Sequence, residues 1–147
     1  MIAKTALGIP DALLPISAPD EKLEAARSLA AQRDHLIACA TRDKNRLRSI
    51  LLESCPAFEA QCDLRNDHWL AMLEKLGGPW GIADAGKAAM GAVTRGANRA
   101  GMDAAWDAIS ESSRPSAFKV SAENPQVMLL AHRIRELSLI HISEPTR

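Results

Sequence analysis

The sequence predicts an all-α protein in which one long helix of coiled-coil character precedes a cluster of shorter helices. Three observations favour this fold class. The chain of 147 residues is 47% hydrophobic but only 3% aromatic, so Ala, Leu and Ile supply the apolar mass, and Ala and Leu are strong helix formers. An apolar pattern of helical period continues for more than thirty residues without Gly or Pro. No stretch has the strict alternation or the Asn-Gly turn that is typical of β-hairpins.

Residues 1–16 consist of short apolar pieces interrupted by one Gly and two Pro residues. This pattern predicts the end of a helix followed by an extended connector.

Residues 17–55 are predicted to form the long helix, roughly 50 Å at 1.5 Å per residue. Ser17 or Asp20 can cap its first turn, and Pro56 interrupts the pattern. At 100° per residue the apolar positions fall in one stripe about as wide as a core-facing helix face. The stripe contains Ala26, Leu29, Leu36, Ile37, Ala40, Leu47 and Leu51. So narrow a stripe on so long a helix predicts a coiled-coil partner, either within the chain or in a second copy.

Residues 56–136 are predicted to form the shorter helices. Asn66 is a typical N-cap, and "GGPWG" at residues 77–81 marks a firm break. Further helical candidates are "DAGKAAMGAVTRG", "NRAGMDAAWDAISESS" and "AENPQVMLLAHRIRE". The three Trp residues lie among apolar neighbours, which favours core positions over base-stacking surfaces.

The composition limits the classes of function. The 18 basic and 18 acidic residues leave no net charge, so any contact with nucleic acid has to be a local patch. The spacing of Cys39, Cys55 and Cys62 fits neither a zinc site nor a disulfide framework, which predicts inert thiols in a reducing compartment. Neither a membrane span nor a signal peptide is present in the pattern. We therefore expect a cytoplasmic protein without membrane contact.

The long helix carries a basic run, for which two interpretations compete. The run contains Arg42, Lys44, Arg46 and Arg48. The first interpretation is contact with a nucleic-acid backbone, since arginine binds phosphate in a bidentate manner. The second is an ordinary solvated helix face, on which Asp43 and Glu53 pair with these cations within the helix.

The segment "GIADAGKA", residues 81–88, resembles a phosphate-binding loop but has Ala where Ser or Thr would bind magnesium. Because such a loop needs a preceding strand, a plain helix start is the favoured interpretation. The four His residues form no metal-binding pattern, and no catalytic carboxylate pair can be located. We predict no catalytic and no metal-binding residue in this chain.

Residues 137–147, "LSLIHISEPTR", resemble the translation of a sequencing-library adapter. We expect this stretch to be an artefact, as a cloning scar would be. We therefore expect that the natural sequence is interrupted at about Glu136 and that its own C-terminus is missing.

The long helix also carries a family resemblance. The stretch "RSLAAQRDHLIACATRDKNRLRSILLESCPAFE" resembles a segment of the transposases of the insertion sequence 110 family, the Piv/MooV-like DEDD transposases. The matching positions are Arg27, Leu29, Arg33, Leu36, Asn45, Arg46, Leu47, Arg48, Leu51, Pro56 and Glu59. The later stretches "GGPWGIADAGKAAMGAVTRGANRAGMDAAWDAI" and "SAENPQVMLLAHRIREL" resemble the helical region that follows in some members.

The resemblance implies an internal fragment of a transposase. Family members have a RuvC-like nuclease domain with a DEDD metal tetrad, a helical connector and a C-terminal domain with a serine nucleophile. Neither the tetrad nor the serine motif can be matched here, so residues 1–16 are expected to be the exit from an absent nuclease domain. We expect no cofactor in this fragment, whereas the family implies Mg in the missing domain.

The resemblance further implies that the connector pairs between protomers and contacts DNA and a structured guide RNA. The resemblance therefore favours the first interpretation of the basic run, contact with a nucleic-acid backbone. The expected oligomer interface consists of Arg33, Leu36, Ile37, Leu47 and Leu51. Two alternatives stay open, namely a coiled-coil interaction module without nucleic acid and a nucleotide-binding enzyme built on "GIADAGKA".

Overall fold

The computed structural model describes residues 20–142, and within that range it confirms an all-α fold without strands. The helices are α1 (Glu21–Ser54), α2 (Pro56–Glu59), α3 (Asp67–Leu76), α4 (Pro79–Ala85), α5 (Lys87–Val93), α6 (Arg99–Glu111) and α7 (Ala117–Ile142). The long helix is confirmed with 34 residues. The prediction for residues 1–16 lies outside the described residues.

Local signals set the helix boundaries. The Asp20 carboxylate accepts a hydrogen bond from the Lys22 amide at 3.1 Å, as a capping side chain does. At the other end of α1, Pro56 is the first residue of α2, where its missing N–H costs nothing. Asn66 caps α3 as predicted, since its side chain accepts a hydrogen bond from the His68 amide at 2.9 Å.

The break between α3 and α4 depends on close packing against α7. Gly77 has a φ of 85°, which favours glycine. The Gly78 amide donates a hydrogen bond to the Asn124 side chain at 3.1 Å. A Cβ atom at Gly77 would lie 3.1 Å from Cγ of Asn124. Glycine is therefore required here both for the backbone conformation and for the approach of α7.

The chain divides into two compact units, Met1–Asp34 and His35–Arg147. In the first unit, every described side chain, from residue 20 to residue 34, is exposed. The second unit contains the hydrophobic core, in which the contact between α3 and α7 is the most extensive. Leu47 and Leu51 are fully buried in this core. Among the Trp residues, Trp69 and Trp80 are buried as predicted, and Trp106 packs partly buried against the core.

Helix α7 begins earlier than the sequence indicated. It starts at Ala117, so Pro125 lies inside the helix instead of at its start. Pro125 is on the exposed side, where the loss of one backbone N–H donor is tolerated more easily than in the core. The helix continues to Ile142 and thus includes the first six residues of the adapter-like stretch; residues 143–147 are outside the described range.

Candidate nucleic-acid interface

The basic run lies on the C-terminal half of α1, which the core holds in place. Leu47 and Leu51 are 0% exposed, so the apolar side of this helical segment faces the core of the second unit. Arg42 and Arg46 are exposed, and Lys44 is half-buried. The helical period that buries the leucines therefore directs Arg42 and Arg46 to the solvent, whereas Lys44 lies on the same side as the leucines and is half-buried.

The two carboxylates near the run pair with α7 and not within α1. Asp43 is buried, and its Oδ2 lies 3.0 Å from Nη2 of Arg133, a charge contact whose angle does not make it a hydrogen bond. Glu53 accepts a hydrogen bond from Nζ of Lys119 at 3.0 Å. The interpretation that these carboxylates neutralise the run within the helix is therefore wrong for the observed arrangement.

Three of the four cations are left without a partner in the described part of the chain. No carboxylate of residues 20–142 lies within 4.0 Å of the charged groups of Arg42, Lys44 or Arg46. Arg48 differs, since its Nε lies 3.0 Å from Oε1 of Glu59, although its side chain stays 55% exposed. The positive charge of the run is thus concentrated on its first three members.

A shallow recess of about 300 Å³ adjoins this surface. Its lining consists of Thr41, Lys44, Asn45, Arg48, Leu64 and Arg65. Arg65 comes from the turn between α2 and α3, and its Nε donates a hydrogen bond to Asp63 at 3.1 Å. The terminal amino groups of Arg48 and Arg65 make no hydrogen bond to a described residue. Three cationic side chains therefore meet at one recess.

Arg65 was not predicted from the sequence. It lies outside α1, and only the turn after α2 brings it beside Lys44 and Arg48. A local signal did exist, since Asp63 and Arg65 are spaced for an Asx turn. In the structure the Asp63 carboxylate accepts hydrogen bonds from the Arg65 amide and, second, from its side chain, and these bonds lower the pKa of Asp63. The turn is therefore held by an ionised carboxylate at neutral pH.

The residues of the expected oligomer interface do not share one environment. In the first unit, Arg33 is exposed. In the second unit, Ile37 is 38% exposed and Leu36 is half-buried, while Leu47 and Leu51 are buried in the core of the same chain. The last two are not on a surface that a second copy can contact in this structure, because α1 meets the core at these positions. The other three stay predictions.

The segment "GIADAGKA" contains the end of α4 and, after Gly86, the start of α5. Gly81 lies inside α4, Gly86 precedes α5, and Lys87 is the first residue of α5. A Cβ atom at Gly81 would lie 2.1 Å from the Leu76 carbonyl oxygen, so this glycine is required by packing. No strand enters the segment in the described part of the chain.

Within residues 20–142 no three His, Cys, Asp or Glu side chains come together in a way that could hold a metal ion. None of the described helices is both long and apolar enough to cross a membrane.

Comparison with known proteins gives one finding that bears on identity. The family model for DEDD transposases of the insertion sequence 110 family, described as "Transposase", matches residues 1–56. It confirms the predicted resemblance over that stretch, which contains all of α1. No curated protein and no solved structure matches the chain.

Proposed function

We propose, on the premise that residues 1–56 are those of a DEDD transposase of the insertion sequence 110 family, that this chain is the helical connector of such a transposase. In this proposal the C-terminal half of α1 binds the phosphate backbone of nucleic acid. The observation that carries the proposal is the set of three unneutralised cations, Arg42, Lys44 and Arg46, on a helix segment that the core holds fixed.

The energetics favour phosphate as the ligand. Each Lys or Arg that meets a phosphate releases a condensed counterion, so binding gains free energy at low salt irrespective of base sequence. Asp43 and Glu53 are directed to Arg133 and Lys119, and they do not compete for these cations. Fixing the helix in advance also reduces the entropy that is lost on binding.

The recess gives the surface a place for one phosphate group. Lys44 offers an ammonium group, and Arg48 and Arg65 offer terminal amino groups that no described residue occupies. Guanidinium groups bind phosphate oxygens with two parallel hydrogen bonds. Glu59 and Asp63 offset part of the charge, so we expect the recess to add orientation more than affinity.

The proposed partners are DNA and the structured guide RNA that the family implies. Contacts to phosphate position a protein on nucleic acid, whereas base contacts read sequence. The proposed role is therefore positional and not catalytic, in a protein that also forms homo-oligomers.

Binding of fluorescein-labelled duplex DNA and of an RNA hairpin, followed by anisotropy at several salt concentrations, tests the proposal. We expect the double variant Arg42→Ala/Arg46→Ala to bind both more weakly. For the duplex, its slope of log affinity against log salt should be smaller by about 0.9 for each phosphate contact that is lost.

The double variant Lys22→Ala/Lys75→Ala is the matched control. It also removes two exposed positive charges, but from positions outside the basic run. Unchanged affinity and slope in Arg42→Ala/Arg46→Ala, or an equal loss in the control, would remove the basis of the proposal.

A helical interaction module without nucleic acid is the second candidate. Ile37 is 38% exposed in the second unit, and Leu29 is 65% exposed in the first. Apolar side chains in such positions favour a partner helix. Self-association in sedimentation experiments, together with no binding of either oligonucleotide at low salt, would favour this candidate.

A further inference from the structure

A groove of about 480 Å³ lies between α5 and α6, away from the basic run. Lys87, Arg95 and Arg99 supply its cations, and Asp103 is its carboxylate. Met90 and Met102, which are 1% and 9% exposed, belong to its apolar lining. We propose that this groove is a second binding site for the sugar-phosphate backbone of nucleic acid.

Two arginines of the groove form no ion pair with residues 20–142, although Asp103 also attracts Arg99 at longer range. Nζ of Lys87 lies 2.8 Å from Oδ1 of Asp103, so these two charges offset each other. Asp107, one turn further along α6, adds a weaker attraction on Lys87. Arg95 and Arg99 are exposed, and no carboxylate of residues 20–142 lies within 4.0 Å of either guanidinium group. The groove thus carries a net positive charge on its open side.

The shape of the groove admits a chain-like ligand. A Cβ atom at Gly91 or Gly96 would meet nothing within 4 Å, so these parts of the lining are bare backbone beside open space. Gly96 has a φ of 93°, which favours glycine and forms the turn that presents Arg95 just before α6. The Thr94 hydroxyl donates to the Met90 carbonyl at 2.8 Å and is not offered to a ligand.

Two exposed arginines on one groove favour a nucleic-acid backbone over a simple anion, because a chain places successive phosphates where each guanidinium group can bind one. Met90 and Met102 form the buried floor of the groove and contribute almost no exposed surface. The volume also falls within the range of small-ligand pockets. Free phosphate could therefore bind the same groove through the same groups, and the experiment below distinguishes it from DNA. No residue of this groove belongs to the α1 surface or to the matched residues 1–56.

NMR of the full chain with ¹³C-methyl methionine tests the groove directly. Met90 and Met102 report on it, while Met72, fully buried in the core, and Met128, on α7, are reference signals. The probes are a duplex DNA oligonucleotide and inorganic phosphate. We expect the DNA to shift the Met90 and Met102 signals, while phosphate alone at the same phosphate concentration leaves them in place.

The double variant Arg95→Gln/Arg99→Gln keeps a shorter polar side chain at both positions but removes both charges. We expect it to lose the shifts and to lower the salt slope of duplex binding by about 2, at 0.9 for each phosphate contact. The variant Lys22→Ala/Lys75→Ala loses the same charge elsewhere, and it should keep both the methionine shifts and the salt slope of duplex binding. The Met72 signal in each variant reports that the core is intact.

The outcome is separable from that of the α1 surface. In Arg42→Ala/Arg46→Ala the shifts of Met90 and Met102 should persist at saturating DNA, whatever happens to the overall affinity. The proposal is overturned if these two signals stay in place while DNA is bound, if inorganic phosphate alone reproduces the shifts, or if Arg95→Gln/Arg99→Gln keeps them.

Discussion

Cys62 is a buried thiol whose surroundings disfavour ionisation. It is 5% exposed in the core of the second unit. Burial, and next the negative charges of Glu59 and Asp63, raise the pKa of Cys62 from 9.0 to about 12, although Arg48 acts in the opposite direction. A thiol with this pKa holds almost no thiolate at neutral pH and is a poor nucleophile. The inert behaviour that we predicted from the cysteine spacing thus has a physical cause at this residue.

We predict that iodoacetamide at pH 8 labels Cys39 in the native protein and leaves Cys62 unlabelled. Cys39 is only partly buried, whereas Cys62 is covered by the core. Mass spectrometry of tryptic peptides before and after unfolding in urea measures the two rates. Labelling of Cys62 as fast as that of Cys39 would contradict the structure around this thiol.

The raised pKa also predicts a loss of stability at high pH. Between pH 9.0 and about 12 the unfolded chain loses the Cys62 proton while the folded chain keeps it. The free energy of unfolding therefore falls as the pH rises, by at most about 1.4 kcal/mol per pH unit from this group. Urea titrations from pH 8 to 10.5 measure the decline. The variant Cys62→Ala should show a smaller decline, and an identical one would exclude this cause.

At the scale of the elements, the contact between α3 and α7 is held by a cluster of charges. Arg135 donates hydrogen bonds to Asp67, at 2.8 Å from Nε, and to Glu74. Nδ1 of His132 lies 2.9 Å from Oε1 of Glu74. Burial raises the pKa of Glu74, but the hydrogen bonds from Arg135 and His132 more than offset this effect, and the pKa lies below its usual value. The hydrogen bond to Asp67 and, second, the one to Glu74 raise the pKa of Arg135.

We predict that Arg135→Ala lowers the free energy of unfolding by about 1–3 kcal/mol at pH 7, because it leaves the partly buried Glu74 without its main partner. The wild-type chain should lose stability as the pH falls below about 4.5, since a carboxylate with a lowered pKa stabilises the fold only while it is ionised. In Arg135→Ala this part of the acid dependence should be smaller.

The variant Arg114→Ala is the control for that experiment. Arg114 also makes two hydrogen bonds to one carboxylate, at 2.6 and 2.8 Å from Asp84, but both side chains are about half exposed. Exposed pairs contribute about 0–1 kcal/mol. Chemical denaturation of both variants measures the difference, and an equal loss in the two would show that burial at Glu74 has no special effect.

At the scale of the whole molecule, α1 contains apolar side chains that no other described residue covers fully. All side chains from residue 20 to residue 34 are exposed, and Leu29 among them is 65% exposed. In the second unit Ile37 keeps 38% of its surface exposed. Helices gain most of their stability from packing of an apolar face. Association between copies, which the sequence predicts, would supply such packing.

We predict that the chain self-associates and that Ile37→Glu shifts the equilibrium towards monomer by at least tenfold, because a charge at a helix seam has to be desolvated. Leu52→Glu is the matched control, since Leu52 is 47% exposed on the same helix but lies outside the predicted stripe. Sedimentation velocity over a range of concentrations measures both. A chain that is monomeric throughout would contradict the oligomer prediction.

The sequence alone determined the features that depend on neighbours along the chain. The helical period, the caps at Asp20 and Asn66, and the break at Gly77 all act within a few residues, so they can be read without knowledge of the fold. The family resemblance was likewise carried by an ordered set of residues in α1 and the adjoining α2, and it is confirmed over residues 1–56.

Only the tertiary structure decided which distant groups meet. Asp43 and Glu53 pair with α7 instead of with the basic run, and Leu47 lies in the core instead of on a free seam. Arg65 reaches the recess through the turn after α2, and Arg95 reaches a groove of its own. A helical pattern tells which face is apolar but not what covers that face, because burial is fixed by elements far away in sequence.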